Sequence, residues 1–144
     1  MGKSDPTLRR IIFFISDGED NTSHHHLEDA IRTAQENNVV IFTLNIQTQI
    51  NDHDSGKGKK TLNELARTTG GLMFVPKTEL DINEAYKLIA TIMQGQYLVV
   101  LPTDPQKGKH SIKIVSARKD VIITGPDAIY ARPTSAVLVD VKIF

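Results

Sequence analysis

The chain has 144 residues and no cysteine, and seventeen basic residues balance seventeen acidic ones. That length fits one ordinary domain able to bury roughly two-thirds of its unfolded surface, and with 40% hydrophobic and 24% charged residues it is not a disordered tail. Charge neutrality argues against a protein built to hold nucleic-acid phosphates, no apolar run approaches the roughly 20 residues of a membrane helix, and the absence of cysteine excludes disulfides and thiolate chemistry.

The start, Met1-Gly2-Lys3-Ser4-Asp5-Pro6, lacks an apolar h-region, so no signal peptide is expected there. The run from Ile11 to Ile15, Ile-Ile-Phe-Phe-Ile, is too short for a helix and is bounded by Arg9-Arg10 and Asp17-Gly18. A strand buried on both faces of a parallel sheet has this pattern. After a polar loop, Leu27, Ala30, Ile31 and Ala34 form an apolar helical stripe. Asn37-Asn38 ends it, and residues 39–46 are a β-branched, strand-like run.

A polar stretch from Gln47 to Lys60 follows. Thr61 with Glu64 predicts a capping box opening the next helix, with Leu62, Leu65, Ala66 and Thr69 inward and Gly70-Gly71 as its stop. A short third strand spans 72–75. Asp81 and Glu84 suggest the same capping for a helix whose Ile82, Ala85, Tyr86, Ile89, Ile92 and Met93 share one face. Strand and helix alternate up to Gly95, which implies a parallel sheet.

Beyond Gly95 the pattern changes. Residues 97–101, 111–117 and 121–124 predict strands joined by short turns, hence antiparallel pairing. The stretch from Ala136 to Phe144 alternates as an amphipathic strand. The expected architecture is therefore α/β: a partial Rossmann-like parallel sheet with flanking helices, then an antiparallel β-rich extension. The expected division is 1–95 and 96–144, with the second part packed on or exchanged with the first.

At Ile11-Ile12-Phe13-Phe14-Ile15-Ser16-Asp17-Gly18-Glu19-Asp20-Asn21 the chain resembles a von Willebrand factor type A domain. The segments Val39-Val40-Ile41-Phe42-Thr43-Leu44-Asn45-Ile46 and Leu65-Ala66-Arg67-Thr68-Thr69-Gly70-Gly71-Leu72-Met73-Phe74 resemble later elements of that fold, the second its late helix and last core strand. From Gln96-Tyr97 onward the chain is similar to a bacterial von Willebrand factor A-related subgroup. The likeness covers about residues 8 to 132 and begins at the domain's fourth strand. The family's first strand carries Asp-x-Ser-x-Ser, which is absent here. The resemblance thus implies the C-terminal half of such a domain: a non-catalytic protein-interaction module of adhesion type.

The resemblance also places Asp17 in the third loop of a metal-ion-dependent adhesion site, where the intact family domain holds magnesium. With the serine and threonine ligands missing, Asp17 is a remnant and no cofactor is expected in this chain. The contrary readings are a small metal-dependent hydrolase or phosphoryl-transfer enzyme using Asp17, or a purely structural assembly domain. Other motifs have blander readings. Consecutive His24, His25 and His26 point in different directions and are not expected to converge on one ion, and His53 and His110 are expected in other loops. Residues 51–56 fail the EF-hand spacing, because position twelve is not glutamate. Lys57, Lys59 and Lys60 form a basic cluster without aromatics, as on a solvated loop, and Gly2-Lys3-Ser4 lacks the rest of a phosphate loop. Ser16 has no Gly-x-Ser-x-Gly context.

Without the domain's first half, the strand from Ile11 to Ile15 has no neighbour on one side. An apolar edge of this kind is an aggregation template. The expected cover is a second copy of the chain or the Ala136 to Phe144 strand, folded back or swapped, so a homo-oligomer is expected, with no nucleic acid and no membrane span.

Overall fold

The computed structural model describes residues 10–19, 23–46, 55–101, 108–121, 123–131 and 137–143. Strand β1 (Arg10–Ser16) pairs in parallel with β2 (Val39–Asn45), from Arg10 opposite Val39 to Ser16 opposite Asn45. Strand β2 pairs in parallel with β3 (Met73–Phe74), which places β2 in the centre of a three-stranded sheet and β1 at an edge. The apolar character of β2 accounts for that position, since every residue from Val40 to Asn45 is buried.

Alternation sorts the side chains of β2 to two faces. Val40 and Phe42 pack with Ile89 and Ile92 of α3 (Glu79–Gln94), joined by Ile11, Phe13, Leu72 and Phe74. On the other face, Thr43 donates its hydroxyl to the Leu62 carbonyl at 3.2 Å, and the Ile41 N–H donates to Thr69 Oγ1 at 3.1 Å. Both acceptors belong to α2 (Ser55–Thr69), beside which lies α1 (Leu27–Glu36). The result is a mixed α/β architecture, a parallel sheet flanked by helices on both faces, as the alternation predicts.

Three helical details differ from the sequence expectation. On α1 the buried side is Ile31, Ala34 and Gln35, while Ala30 faces solvent. Gln35 displaces the apolar pattern because polar partners await it, as described below. Helix α2 begins at Ser55 rather than Thr61, and the Thr61 hydroxyl donates to the Lys57 carbonyl at 3.1 Å inside the helix instead of capping it. For α3 the cap is Thr78. Its Oγ1 accepts from the Asp81 N–H at 3.2 Å, and Asp81 Oδ2 accepts from the Thr78 N–H at 3.0 Å, so Asp81 closes the box rather than opening it.

The extension is antiparallel throughout, but its neighbours are not consecutive. Strand β4 (Gln96–Leu101) pairs with β8 (Val137–Ile143), Val99 opposite Val139, and β8 also pairs with β6 (Ile123–Thr124). Strand β5 (Gly108–Ser111) pairs with β7 (Ala128–Ala131), an element the sequence pattern did not mark, while residues 112–117 lie outside any strand. The amphipathic strand between Ala136 and Phe144 is therefore held between β4 and β6 and does not cover β1. A second core forms around Ile129 and Val141 with Ile112, Ile114 and Ile123. No helix among the described residues is long and apolar enough to cross a membrane.

The extension meets the helical layer through the turn at Gly125, Pro126 and Asp127. Gly70, which ends α2 at φ +86°, is so close to this turn that a Cβ there would lie 2.8 Å from the Gly125 carbonyl carbon. Only glycine combines that dihedral with that approach. Gln35 Nε2 donates to the Thr68 carbonyl at 2.9 Å and to Asp127 Oδ1 at 3.0 Å.

Candidate functional site

Asp17 follows β1 at the carboxyl end of the sheet, where open α/β sheets place ligands. Its side chain is exposed and turns back on its own loop: Oδ1 accepts the Glu19 N–H at 3.1 Å. Ser16 does the same, with Oγ accepting the Gly18 N–H at 3.0 Å. The loop then rests on α2. A Cβ on Gly18, at φ +83°, would lie 2.3 Å from the Gly58 carbonyl oxygen, and a Cβ on Gly58 would lie 2.7 Å from the Asp17 carbonyl oxygen. Two glycines thus let a strand exit and a helix start touch backbone to backbone. Gly58, poor in helix propensity, is held in α2 at this contact, in a stretch whose lysines favour helix.

Among the described residues, Asp17 and Ser16 are the oxygen donors at the exit of β1. A magnesium ion needs a near-octahedral oxygen shell, and here one carboxylate oxygen and the neighbouring hydroxyl already accept backbone N–H groups. Among the described residues, no group of three or more histidine, aspartate or glutamate side chains gathers where it could hold a metal. His24, His25 and His26 are exposed before α1, where His26 is the N-cap residue without a side-chain cap bond. Lys57, Lys59 and Lys60 are exposed on the first turns of α2 rather than on a loop. His110 lies on β5, and His53 lies outside the described residues.

The outer edge of β1 is the other distinctive surface. Ile12, Phe14 and Ile15 are 47%, 43% and 49% exposed, although they belong to the most apolar strand-forming run in the chain. Phe13 remains covered by Tyr86 of α3, ring centroids 5.3 Å apart. Tyr86 and Met93, expected to be inward, are exposed, while Ala85, Ile89 and Ile92 on the same helix are buried.

A cleft at the seam with the extension has no signature in the amino-acid pattern. It encloses about 300 Å³ between α2, β3 and residues 112–114 and 123–127, with Arg67, Lys113 and Asp127 on its wall. Thr124 lines it, and its hydroxyl is buried without a hydrogen-bond partner among the described residues.

No protein family matches the chain, and no curated protein does. Among solved structures, an uncharacterized membrane spanning protein from Vibrio fischeri has 21% sequence identity and a TM-score of 0.49, over 59% of this chain and 48% of that one. This chain spans about half the length of that neighbour.

Proposed function

We propose that this chain is a non-catalytic protein-interaction module, the C-terminal part of a von Willebrand factor A-like domain without the Asp-x-Ser-x-Ser metal motif. The observation that carries the reading is the outer edge of β1: an unpaired strand side among the described residues, with Ile12, Phe14 and Ile15 about half exposed. Backbone donors and acceptors in a row, flanked by apolar side chains, are what a partner strand adds to. Asp17 serves this edge as the residue that turns the chain away from it.

The competing hydrolase reading requires a metal at Asp17, and among the described residues no group of three or more acidic or histidine side chains gathers to hold one. Titration with magnesium or manganese, followed by thermal unfolding, is expected to give the same response for the native chain and for Asp17→Ala. Turnover of a generic phosphoester that disappears in Asp17→Ala would overturn the proposal.

A further inference from the structure

We infer that the β1 edge takes a second copy of this chain, pairing antiparallel about a two-fold axis at Phe13 to make one continuous six-stranded sheet. The inference rests on the reading of that edge as the interaction surface and adds the identity of the partner and the register.

Backbone direction fixes the parity. Ser16 turns its carbonyl toward β2, where it accepts the Ile46 N–H at 3.2 Å. Successive residues of a strand turn their peptide groups to opposite sides, so Ile11, Phe13 and Ile15 direct theirs outward. A two-fold axis perpendicular to the sheet joins residues whose numbers sum to an even value, because only then do opposed side chains share a face. Centring on Phe13 satisfies both conditions. Phe13 meets Phe13 of the other copy and Ile11 meets Ile15 as hydrogen-bonded pairs, while Ile12 meets Phe14 and Arg10 meets Ser16 as non-hydrogen-bonded pairs.

Side-chain chemistry selects the same register. Ile12 and Phe14, exposed on the face shared with Ile41 and Thr43, cover each other. Ile15 gains Ile11. The one basic residue of β1, Arg10, comes beside the partner copy's Ser16-Asp17 turn, whereas a parallel arrangement would set Arg10 against Arg10. Such an exposed charge pair contributes little affinity but selects orientation. Among the described residues, no other strand pairs with this edge. Strand β8 is paired on both sides. Residues 1–9, 47–54, 102–107 and 132–136 are polar or broken by proline and contain no apolar alternation.

The test uses the full cysteine-free chain. Sedimentation at micromolar concentration is expected to give a species of twice 16.0 kDa, and Phe14→Lys is expected to weaken association at least about tenfold (roughly 1.4 kcal/mol) without changing the circular dichroism. Arg10→Glu and Asp17→Arg should each weaken the dimer, and the double variant should restore it. Register is read by oxidation: a mixture of Ile12→Cys and Phe14→Cys chains should form crosslinked dimers, and each variant alone far fewer. A monomer, an open-ended series of oligomers, or equal crosslinking of the single variants overturns the inference. A monomer would leave the edge available to a different partner, whereas metal-dependent turnover at Asp17 would remove the interaction reading itself.

Discussion

The side-chain amide of Gln35 reaches from α1 to Asp127, Nε2 to Oδ1 at 3.0 Å, while also donating to the Thr68 carbonyl at 2.9 Å. The Asp127 N–H returns to that same carbonyl at 3.4 Å. One buried glutamine thus ties together α1, the end of α2 and the turn that leads into β7. Removing it takes a donor from the buried Thr68 carbonyl, which keeps only the longer Asp127 N–H bond, and from the partly exposed Asp127 carboxylate. Gln35→Ala is expected to lower stability by about 1–3 kcal/mol, read as a shift of the urea midpoint at constant slope. Asp127→Asn loses only the 3.7 Å pair with Arg67, whose partners are both largely exposed, and is expected to change the midpoint little.

The two glycines at the start of α2 are expected to respond in opposite directions. A Cβ at Gly56 meets nothing within 4 Å, so Gly56→Ala should stabilise the helix by about 0.5–1 kcal/mol. A Cβ at Gly58 meets the Asp17 carbonyl oxygen at 2.7 Å, and Gly58→Ala should destabilise despite its better helix propensity. Thermal unfolding of the pair checks this. Equal stabilisation by both substitutions would refute the close approach of β1's exit to α2.

The cap of α3 gives a prediction in pH. The Lys77 and Thr78 backbone N–H groups, at 2.8 and 3.0 Å, hold the Asp81 carboxyl below its ordinary value. A carboxyl depressed on folding stabilises the fold above the unfolded value of about 3.9, and this contribution disappears as pH falls through the folded value. Asp81→Asn should therefore flatten the acid limb of the stability profile below about pH 4. Thr78→Ala should lose about 1 kcal/mol at neutral pH through the other half of the box.

Thr124 provides a test at the seam cleft. Its buried hydroxyl has no partner among the described residues, so Thr124→Val keeps the shape and removes an unsatisfied group. The variant is expected to be neutral or more stable in urea. A clear loss would mean that the hydroxyl bonds within the cleft.

Much of the α/β layer was legible in the sequence, because hydrophobic period is a local signal. The β-branched, largely apolar run of β2 and the stripe Ala85, Ile89 and Ile92 place themselves. Gly70 marked its turn through the conformation it adopts. What escaped depends on contacts distant in sequence. Residues 55–60 look like a loop, yet they are helical, with the exit of β1 lying against Gly58. Gln35 looks like a solvent-facing residue until Asp127 arrives from the extension. Short turns suggested consecutive hairpins, yet β4 passes over its nearest successors for β8. At the candidate site, the place of β1 at a sheet edge and the turn at Asp17 were anticipated, but the exposure of Ile12 and Phe14 was not, because the run has the pattern of a strand buried on both faces. The Asp17 carboxylate bonding its own backbone, and the seam cleft, have no pattern in the chain that a reader could find.

The pairing of Gln96 with Lys142 has a consequence for biogenesis. During translation β4 emerges well before β8, so the helices and the parallel sheet can assemble while β4 is still without its ladder partner. Its six residues, Gln-Tyr-Leu-Val-Val-Leu, wait in that interval for the strand that synthesis brings alongside some forty residues later.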